Sequence, residues 1–360
     1  MAKALANMGH NVDVFVAGDV SIPGTEILQE TASSRATLTF LPRIRIIAQN
    51  AIFLGLFRRL AIGNYDIVLF HEYDNITSLY VSMWCRRHGV VAILLQGMYQ
   101  DYQGLVPQIL QYIYDISLKR VINRSCNRVI CKTSSAKEYL DLKGIHVDAV
   151  CHIGIDVANF TTEVSPPSHH GKKIILYVGV LEPRRNPLLM IDLMGTLVQR
   201  HFEVELWIVG KGSLLAQCKE RVAKLGLSNH IRFLRQVNQS QLSTIYSQSH
   251  VLVLPSYYEI YGMVILEAMY HAVPVVSSRT AGSVDLIDSG HDGIVVDDFD
   301  VESWSRALEP LLQNESYRQN IGLNGRKKIV SNYLWSERVA DFVFEFRAGL
   351  SDRKERSAQC

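Results

Sequence analysis

The chain has 360 residues, of which 48% are hydrophobic and 20% charged, and 23 are glycines. This composition excludes a disordered or fibrous protein, and the length allows about two domains, each large enough for its own core. A formal net charge of +2 is too small to indicate a nucleic-acid-binding protein. Six scattered cysteines without a CxxC pair predict reduced thiols in a cytoplasmic protein. No apolar run reaches the ~20 residues that are needed to span a bilayer.

The first part of the chain alternates predicted helices with apolar strands. A helix that ends at Gly9 precedes a strand from Val12 to Val16. Further strand candidates lie at Thr37–Leu41, Ile67–Phe70, Val90–Leu95, Arg128–Cys131 and Ala149–Ile153. This alternation predicts βα units and a parallel sheet, whose carboxyl strand ends face a ligand crevice. His71 follows one such end, and Gln96 and Gly97 follow another.

One early segment is basic and apolar at once. From Thr31 to Tyr65 there is no acidic residue, and the segment contains Arg35, Arg43, Arg45, Arg58 and Arg59. Between these arginines lies IIAQNAIFLGLF, which is apolar and helix-permissive. A helix of this kind can lie in an anionic membrane surface, while a core helix with arginines at its ends explains the same pattern. Peripheral membrane contact through Arg43–Arg59 is therefore one of two open interpretations.

The composition changes near the middle of the chain. The stretch TTEVSPPSHHGKK, from Thr161 to Lys173, is typical of an interdomain linker. Its pair His169-His170 is interpreted as solvated loop, because no partner ligands lie at metal-binding spacing. Apolar strands are predicted beyond it at Ile174–Gly179, Glu205–Val209, Ile231–Leu234, Val251–Leu254 and Gly293–Val296. We expect an N-terminal Rossmann-like domain over residues 1–160, a linker at 161–173, a second such domain over 174–330 and a C-terminal helix over 331–360.

The stretch from Leu252 to Ser278 carries the strongest functional pattern. It runs from an apolar strand through a short loop into a helix and then to a second strand, with Glu259 in the loop and Glu267 eight residues later in the helix. A strand, loop and helix N-terminus in this order form an anion site, because unpaired amides and the helix dipole point out of the loop. The amides in question belong to Tyr261, Gly262, Met263 and Val264. The pattern predicts a nucleotide diphosphate that carries hydroxyl groups.

The sequence PSYYEIYGMVILEA within this stretch resembles the E-x7-E signature of the retaining glycosyltransferases of family 4. The resemblance implies the GT-B fold, an α/β architecture of two Rossmann-like domains that face a cleft. It also implies that Glu259 faces the transferred sugar and that Glu267 binds the ribose of the nucleotide. The alternative is an ordinary buried helix with one solvated glutamate at each end.

The turn VLEPRRNP, which follows the strand ending at Gly179, resembles the phosphate-binding segment of the same family. Arg185 matches the family's phosphate-binding lysine and keeps its charge, whereas Val180 replaces an arginine that normally assists it. The resemblance implies that diphosphate binding depends on Arg185, with Arg184 or Lys211 compensating for the lost cation.

Two further loops correspond to family loops around the donor. Ser277–Ser283 resembles a loop whose amides bind the sugar and phosphate, and Gly282 stands at the matching position. In relatives the loop that corresponds to Arg235–Val237 borders the nucleotide base. The D-x-D sequence Asp298-Phe299-Asp300 is interpreted as a turn or helix cap, and no metal ion is expected at the donor site.

The acceptor side is expected in the N-terminal domain. His71, Gln96 and Gly97 are acceptor-side candidates, although His71 fits a loop histidine without a chemical role equally well. Gln96 stands where many relatives carry a histidine; it can hydrogen-bond a sugar but cannot act as an acid or base. The family also has a strand and a glycine-rich turn before the first helix of this chain, so we expect this domain to lack its first strand.

The resemblance as a whole implies a hexosyltransferase of bacterial polysaccharide biosynthesis. It would move a sugar with retention from a nucleotide-diphosphate sugar, UDP ahead of GDP, to a glycan or lipid-linked acceptor, without a metal or other cofactor. Glu259 and Arg185 would carry the catalytic roles. Two alternatives stay open, a GT-B epimerase acting on the nucleotide sugar and a non-catalytic sugar-nucleotide-binding protein.

Overall fold

The computed structural model describes residues 1–18, 24–45, 51–117, 119–158, 160, 171–234 and 237–358. The chain divides into two compact units, unit 1 (Met1–Gly154 and Trp335–Cys360) and unit 2 (Ile155–Leu334). Both units are α/β. Most of the predicted linker, including His169 and His170, lies outside the described residues, and so do two residues of the predicted base-bordering loop, Arg235 and Gln236.

Unit 1 opens with a small mixed sheet. Its elements are α1 (Ala2–Asn7), β1 (Val12–Gly18), β2 (Thr25–Glu30), β3 (Arg35–Arg45) and β4 (Ala51–Phe53). β3 lies between β1, to which it is parallel, and β2, to which it is antiparallel. β4 also pairs antiparallel with β3. The alternation of apolar residues in β1 and β3 predicted these two strands. β2 was not predicted because it is mostly exposed, and β4 was not predicted because it has only three residues.

The predicted basic helix between Arg43 and Arg59 is wrong over its first part. β3 continues to Arg45, and β4 pairs with it so that Ile44 lies opposite Ile52. These β-branched side chains suit an extended strand, and the strand pairing outweighs a local sequence that only permits a helix. Residues 46–50 lie outside the described part of the chain. A helix begins only at Leu56.

The rest of the first segment alternates helices with parallel strands. Its elements are α2 (Leu56–Gly63), β5 (Ile67–His71), α3 (Ile76–His88), β6 (Val91–Gln96), α4 (Leu105–Ser117), α5 (Lys119–Ser125), β7 (Arg128–Cys131), α6 (Ser134–Leu142) and β8 (Ala149–Val150). The four strands pair in chain order, all parallel. β6 is buried along its whole length, as expected for a continuous apolar run in a parallel sheet covered on both faces.

Unit 1 therefore contains two sheets rather than the single parallel sheet of the prediction. Among the described residues, β1 pairs only with β3 and β5 pairs only with β6. The sheets share one core, in which Phe15 of β1 packs with the cluster that holds Phe70 of β5. A further side-chain bridge joins them, because the Tyr65 hydroxyl donates to the Asp13 carboxylate at 2.6 Å.

Unit 2 is a doubly wound parallel sheet with helices between the strands. Its elements are β9 (Lys173–Val178), a short 3₁₀ turn (Pro183–Arg185), α7 (Pro187–Gln199), β10 (Val204–Val209), α8 (Leu215–Lys224), β11 (Ile231–Leu234), α9 (Gln239–Ser247), β12 (Val251–Leu254), α10 (Met263–Tyr270), β13 (Val275–Ser278), α11 (Ala281–Leu286), β14 (Ile294–Val296), α12 (Val301–Gln313) and α13 (Glu315–Asn332). The strand order is β11-β10-β9-β12-β13-β14. The order reverses between β9 and β12, and open α/β sheets bind ligands outside the carboxyl ends of the strands at such a switch point.

The last helix, α14 (Trp335–Ala358), belongs to unit 1. Its Phe342 is fully buried in a cluster with Val91 and Ile93 of β6 and Ile130 of β7. Glu345 accepts hydrogen bonds of 2.6 and 2.9 Å from the Arg128 guanidinium. An apolar face and an ion pair, in which two guanidinium nitrogens donate to one carboxylate oxygen, thus fix the chain's final helix against the parallel sheet of unit 1.

Candidate active site

The turns that follow β9 and β10 are packed backbone against backbone. The Gly179 amide donates to the Val209 carbonyl at 3.0 Å, and the Leu181 amide donates to the Lys211 carbonyl at 2.9 Å. A Cβ atom on Gly210 would lie 1.9 Å from the Gly179 carbonyl oxygen. This approach is possible only for glycine, so the turns after β9 and β10 form one layer of packed backbone beside the switch point.

Arg185 enters the site from the 3₁₀ turn after β9. Its guanidinium forms an ion pair with Glu259, from the loop after β12, and its Nη1 lies 3.5 Å from the Ser256 hydroxyl. The two charged side chains are only 19% and 16% exposed. Burial lowers the pKa of Arg185, but a guanidinium stays protonated at neutral pH. The buried Nε has no hydrogen-bond partner among the described residues, so one N–H of this cation is left for another acceptor.

The loop after β12 is held by its own backbone and by that of a neighbouring loop. The Tyr257 amide donates to the Arg184 carbonyl at 2.9 Å. Gly262 adopts a left-handed conformation, with φ 80°, and so starts α10 at Met263. A Cβ on Gly282 would lie 1.9 Å from the carbonyl oxygen of Tyr261, so the second predicted glycine loop is in backbone contact with the first.

Helix α10 begins at Met263, so the four amides that the sequence predicts to face an anion lie at or just before its N-terminus. Tyr261 and Gly262 immediately precede the helix, and Met263 and Val264 form its first turn. Backbone N–H groups in a first helical turn lack intrahelical acceptors, and the helix dipole makes this end electropositive. Thr280 and Ser283 form a capping box at the start of α11, which fixes the adjacent loop around Gly282.

Glu267 lies further along α10 and has a partner that the sequence did not reveal. Its carboxylate accepts a 2.8 Å hydrogen bond from the Tyr246 hydroxyl of α9. Burial raises the pKa of Glu267, and the Tyr246 hydrogen bond lowers it, so burial has the larger effect. Tyr246 itself is 1% exposed. No spacing rule links residues on two successive helices, which is why Tyr246 was missed.

The other predicted cations lie at the surface. Arg184 is exposed, and its Nε lies 3.4 Å from Glu182, so its side chain is already paired. Lys211 is also exposed, and its carbonyl is used in the packed turns. Val180, at the position of the family's assisting arginine, is 42% exposed. Of the three predicted cations, Arg185 is the one that the structure places beside Glu259.

The D-x-D sequence has the structural role predicted for it. Asp300 caps α12, accepting from the Ser303 amide at 3.3 Å, and Asp298 accepts from the Asp300 amide at 3.0 Å. Both carboxylates thus serve the turn before α12.

The acceptor-side candidates of unit 1 lie where β5 and β6 end, and hydrogen bonds join the loops that follow these two strands. Gln96 is fully buried; its Oε1 accepts from the Tyr73 amide at 3.0 Å, and its Nε2 donates to the Met98 carbonyl at 3.1 Å. The Gly97 amide donates to the Glu72 carboxylate at 3.2 Å. Gln96 therefore braces the loops in this structure, and its contact with an acceptor stays a prediction.

His71 differs from Gln96 in that the residue is exposed to solvent. Surrounding protein atoms and the nearby Lys132 ammonium lower the pKa of His71 to about 4, so the ring is neutral at pH 7. Asp74, in the same loop, is buried, and burial together with the charge of Glu72 raises its pKa to about 7. Neutral His71 can donate or accept a hydrogen bond, which suits contact with a hydroxyl group.

Two family models match consecutive parts of the chain and together cover residues 1–328. Glycosyltransferase Family 4 matches residues 1–159, and Glycosyl transferases group 1 matches residues 160–328. An uncharacterized glycosyltransferase of Methanocaldococcus jannaschii is 24% identical over 97% of this chain and 93% of its own length. A D-inositol 3-phosphate glycosyltransferase of Corynebacterium kroppenstedtii is 27% identical over 59% of this chain, which spans 51% of that protein.

Solved structures give the same architecture. Sucrose-phosphate synthase from Thermosynechococcus elongatus matches with a TM-score of 0.76 at 19% identity, over 96% of this chain and 90% of that one. Anabaena HepE in complex with UDP and glucose matches with a TM-score of 0.67 at 14% identity, over 85% of each chain. Structural similarity at such low sequence identity shows the fold alone, whereas the two family models show that the chain is a glycosyltransferase. The chain is a glycosyltransferase with the two-domain α/β GT-B fold.

Proposed function

We propose that this glycosyltransferase moves a sugar, with retention of anomeric configuration, from a nucleotide-diphosphate sugar to a glycan or lipid-linked acceptor. The observation that carries the proposal is the meeting of Arg185 and Glu259 at the switch point between β9 and β12. A cation and a carboxylate side by side at this point suit a donor that has a diphosphate on one side and hydroxyl groups on the other.

The diphosphate would bind to Arg185 and to backbone amides. The first turn of α10, opened by Gly262, presents N–H groups, and the Gly282 loop lies in contact with it. Neutralising the phosphates with a guanidinium and a helix N-terminus requires no metal ion. Glu267 would bind the ribose through the carboxylate oxygen that Tyr246 leaves free. We propose UDP ahead of GDP as the nucleotide, and the UDP complex of the structurally similar HepE supports this choice.

In the transfer step, the acceptor oxygen would form a bond to the anomeric carbon while the bond from that carbon to the phosphate oxygen breaks. The leaving diphosphate gains negative charge, which Arg185 and the amides of the glycine loops stabilise. Glu259 would orient the sugar, and the acceptor proton would pass to a donor phosphate oxygen on the same face. This route uses no covalent intermediate with the protein and yields the retained anomer.

The acceptor would meet the N-terminal unit at His71, with Gln96 and Gly97 shaping the loops around it. Two properties of His71 support this assignment: the residue is exposed, and its imidazole is neutral at pH 7. A lipid-linked acceptor would also require contact with the inner face of a membrane, for which the exposed Arg58 and Arg59 of the Arg43–Arg59 segment are candidates.

Thermal-shift measurements with UDP, GDP and ADP sugars test the donor half of the proposal. A nucleotide sugar at about 100 times its Kd stabilises the protein by about 2.7 kcal/mol, so UDP-sugars should raise the Tm by several degrees. Arg185→Gln should abolish the shift, whereas Arg221→Gln, which alters a half-buried arginine of α8 that pairs with Asp192, should preserve it. A shift that survives Arg185→Gln would contradict the proposed phosphate site.

NMR of the product anomer, with the donor that gives the largest shift and a hydroxyl acceptor, tests the reaction. Retention supports the proposal, and inversion contradicts it. Formation of an isomeric nucleotide sugar without acceptor would identify the epimerase alternative, and donor binding without any turnover would identify the non-catalytic one.

A further inference from the structure

Helix α4 presents its apolar face to solvent. Apart from Tyr114, which packs against the core of unit 1, its large apolar side chains are between 42% and 75% exposed. They are Leu105, Val106, Ile109, Leu110, Tyr112, Ile113 and Ile116. With 3.6 residues per turn, these positions form one broad stripe along the helix. A surface helix of a globular protein normally has this stripe against the core, so α4 is oriented the opposite way from what its sequence pattern predicts in water.

The polar face of α4 is fixed against the protein. Gln111 donates to the Tyr139 hydroxyl and accepts from the Tyr102 amide, both at 2.8 Å. Asp115 accepts from the Tyr73 hydroxyl at 2.8 Å and pairs with the Lys143 ammonium at 2.5 Å. Rolling the helix to bury its apolar stripe would break these buried hydrogen bonds and this ion pair. The contacts of Gln111 and Asp115 with the rest of unit 1 therefore keep the apolar stripe facing solvent.

The next helix adds positive charge beside the stripe. Arg120 and Arg124 of α5 are exposed and lie four residues apart, on one face, while Ile122 and Ser125 are buried on the other. α5 packs against α4 and contains no acidic residue. The one charged residue of α4, Asp115, is turned inward and neutralised by Lys143. An apolar stripe followed by outward arginines complements an anionic surface with an apolar interior.

We propose that this α4 surface, meaning the apolar stripe of α4 with Arg120 and Arg124, docks on an anionic lipid bilayer. The helix would lie in the plane of the interface, with its stripe among the acyl chains and the arginines at the headgroups. At 13 residues, α4 is about 20 Å long and too short to cross the ~30 Å hydrocarbon core. Within the described part of the chain no helix is long and apolar enough to cross a membrane.

A bilayer fits this surface better than a second copy of the chain does. A two-fold contact through α4 would bring the same surface of each copy together, and with it the arginines of the two α5 helices. Like charges at the edge of such a contact oppose association. The proposal places membrane contact on α4, in addition to the Arg43–Arg59 segment, and it does not depend on the donor chemistry of unit 2.

The test is flotation of the full chain with vesicles of equimolar phosphatidylcholine and phosphatidylglycerol, and with phosphatidylcholine alone. We expect binding to the anionic vesicles that weakens with salt. Ile109→Gln combined with Ile113→Gln should reduce this binding about tenfold or more, because glutamine preserves helix propensity but removes apolar area. Arg120→Gln combined with Arg124→Gln should remove the preference for anionic vesicles. Leu323→Gln, at a 59% exposed position of unit 2, should leave binding unchanged.

Several results would overturn the proposal. The first is wild-type protein that does not float with anionic vesicles, and the second is an isoleucine double variant that floats like wild type. The third is a dimer in light scattering that the isoleucine variant converts to monomer without any vesicle binding, since a second copy would then occupy the surface. The Tm of each variant checks folding. The nucleotide-sugar thermal shift, recorded on the same samples, reports separately on the donor site and so keeps failure of the two proposals distinct.

Discussion

Replacing Tyr246 by phenylalanine tests the electrostatic state of Glu267. The substitution removes the hydroxyl that donates to the Glu267 carboxylate at 2.8 Å and keeps the ring that stacks on His271. A buried hydrogen bond to a charged group contributes about 1.5–3 kcal/mol, and one between neutral groups about 0.5–1.5 kcal/mol. At neutral pH we expect a loss of about 2 kcal/mol, or a Tm lower by roughly 4–8 °C for a domain the size of unit 2.

The pKa of Glu267 determines how the stability lost in Tyr246→Phe changes with pH. Burial holds the pKa of Glu267 above its ordinary value, so the folded protein binds this proton more tightly than the unfolded chain does. Stability from this group is therefore greatest below the unfolded pKa and falls as the pH rises through the folded pKa. Tyr246→Phe removes the hydrogen bond that limits the increase in the pKa of Glu267. The loss of unfolding free energy in the variant should therefore be larger at pH 7 than at pH 4.

Calorimetry of wild type and variant at both pH values is the assay. Tyr177→Phe is the matched control, because its hydroxyl donates to the neutral carbonyl of Val180 at 3.4 Å and its loss should not depend on pH. An equal deficit for Tyr246→Phe at both pH values would refute the reasoning, since it would mean that the hydroxyl does not stabilise a charged carboxylate.

Three further predictions concern the same unit. Glu259→Ala should mainly lower kcat, whereas Glu267→Ala should mainly raise the KM for the donor, as steady-state kinetics will show. Gly282→Ala should destabilise the protein by about 1–3 kcal/mol in denaturant titrations, because its Cβ would lie 1.9 Å from the Tyr261 carbonyl oxygen. Its matched control is Gly195→Ala, in α7 with its nearest neighbours at 3.9 Å, which should instead stabilise the protein by about 0.4–1 kcal/mol. A double-mutant cycle of Arg185→Ala and Glu259→Ala should give a coupling energy of about 0.5–3 kcal/mol in the same titrations.

Each of these predictions has a result that contradicts it. Equal changes of kcat and KM in both glutamate variants would remove the proposed division of roles. A neutral Gly282→Ala would mean that the two loops separate at little cost. Additive single variants in the cycle would mean that Arg185 and Glu259 do not stabilise one another.

The sequence predicted the central parallel strands of unit 2 well because they are buried on both faces. A continuous apolar run marks such a strand directly, and the predicted Val251–Leu254 coincides with β12, whose four residues are all buried. The predicted Ile231–Leu234 coincides with β11 as well, although β11 is an edge strand and its Arg232 is exposed. The resemblance also led to Arg185 and Glu259, which the structure brings together. What these two residues bind stays a prediction.

The features that escaped prediction depend on partners distant in sequence. β4 forms because β3 offers it a ladder of hydrogen bonds, which local propensity does not reveal. Gln96 ends β6, at the edge of the sheet where a ligand would bind, yet its side-chain oxygen accepts a hydrogen bond from the Tyr73 amide in the loop after β5. The apolar periodicity of α4 does not reveal which face of the helix meets the protein, because the contacts with Tyr73, Tyr139 and Lys143 decide it.

The division of unit 1 into two sheets has a consequence for how this protein behaves in concentrated solution. β1 and β5 each use the hydrogen-bonding groups of one side only among the described residues, and both are rich in β-branched and other apolar side chains. Such strands are templates on which an extended segment of another chain can add, and β5 has no proline or lysine to discourage it. We expect self-association on warming to begin in unit 1, with protection from hydrogen exchange appearing first along β1 and β5.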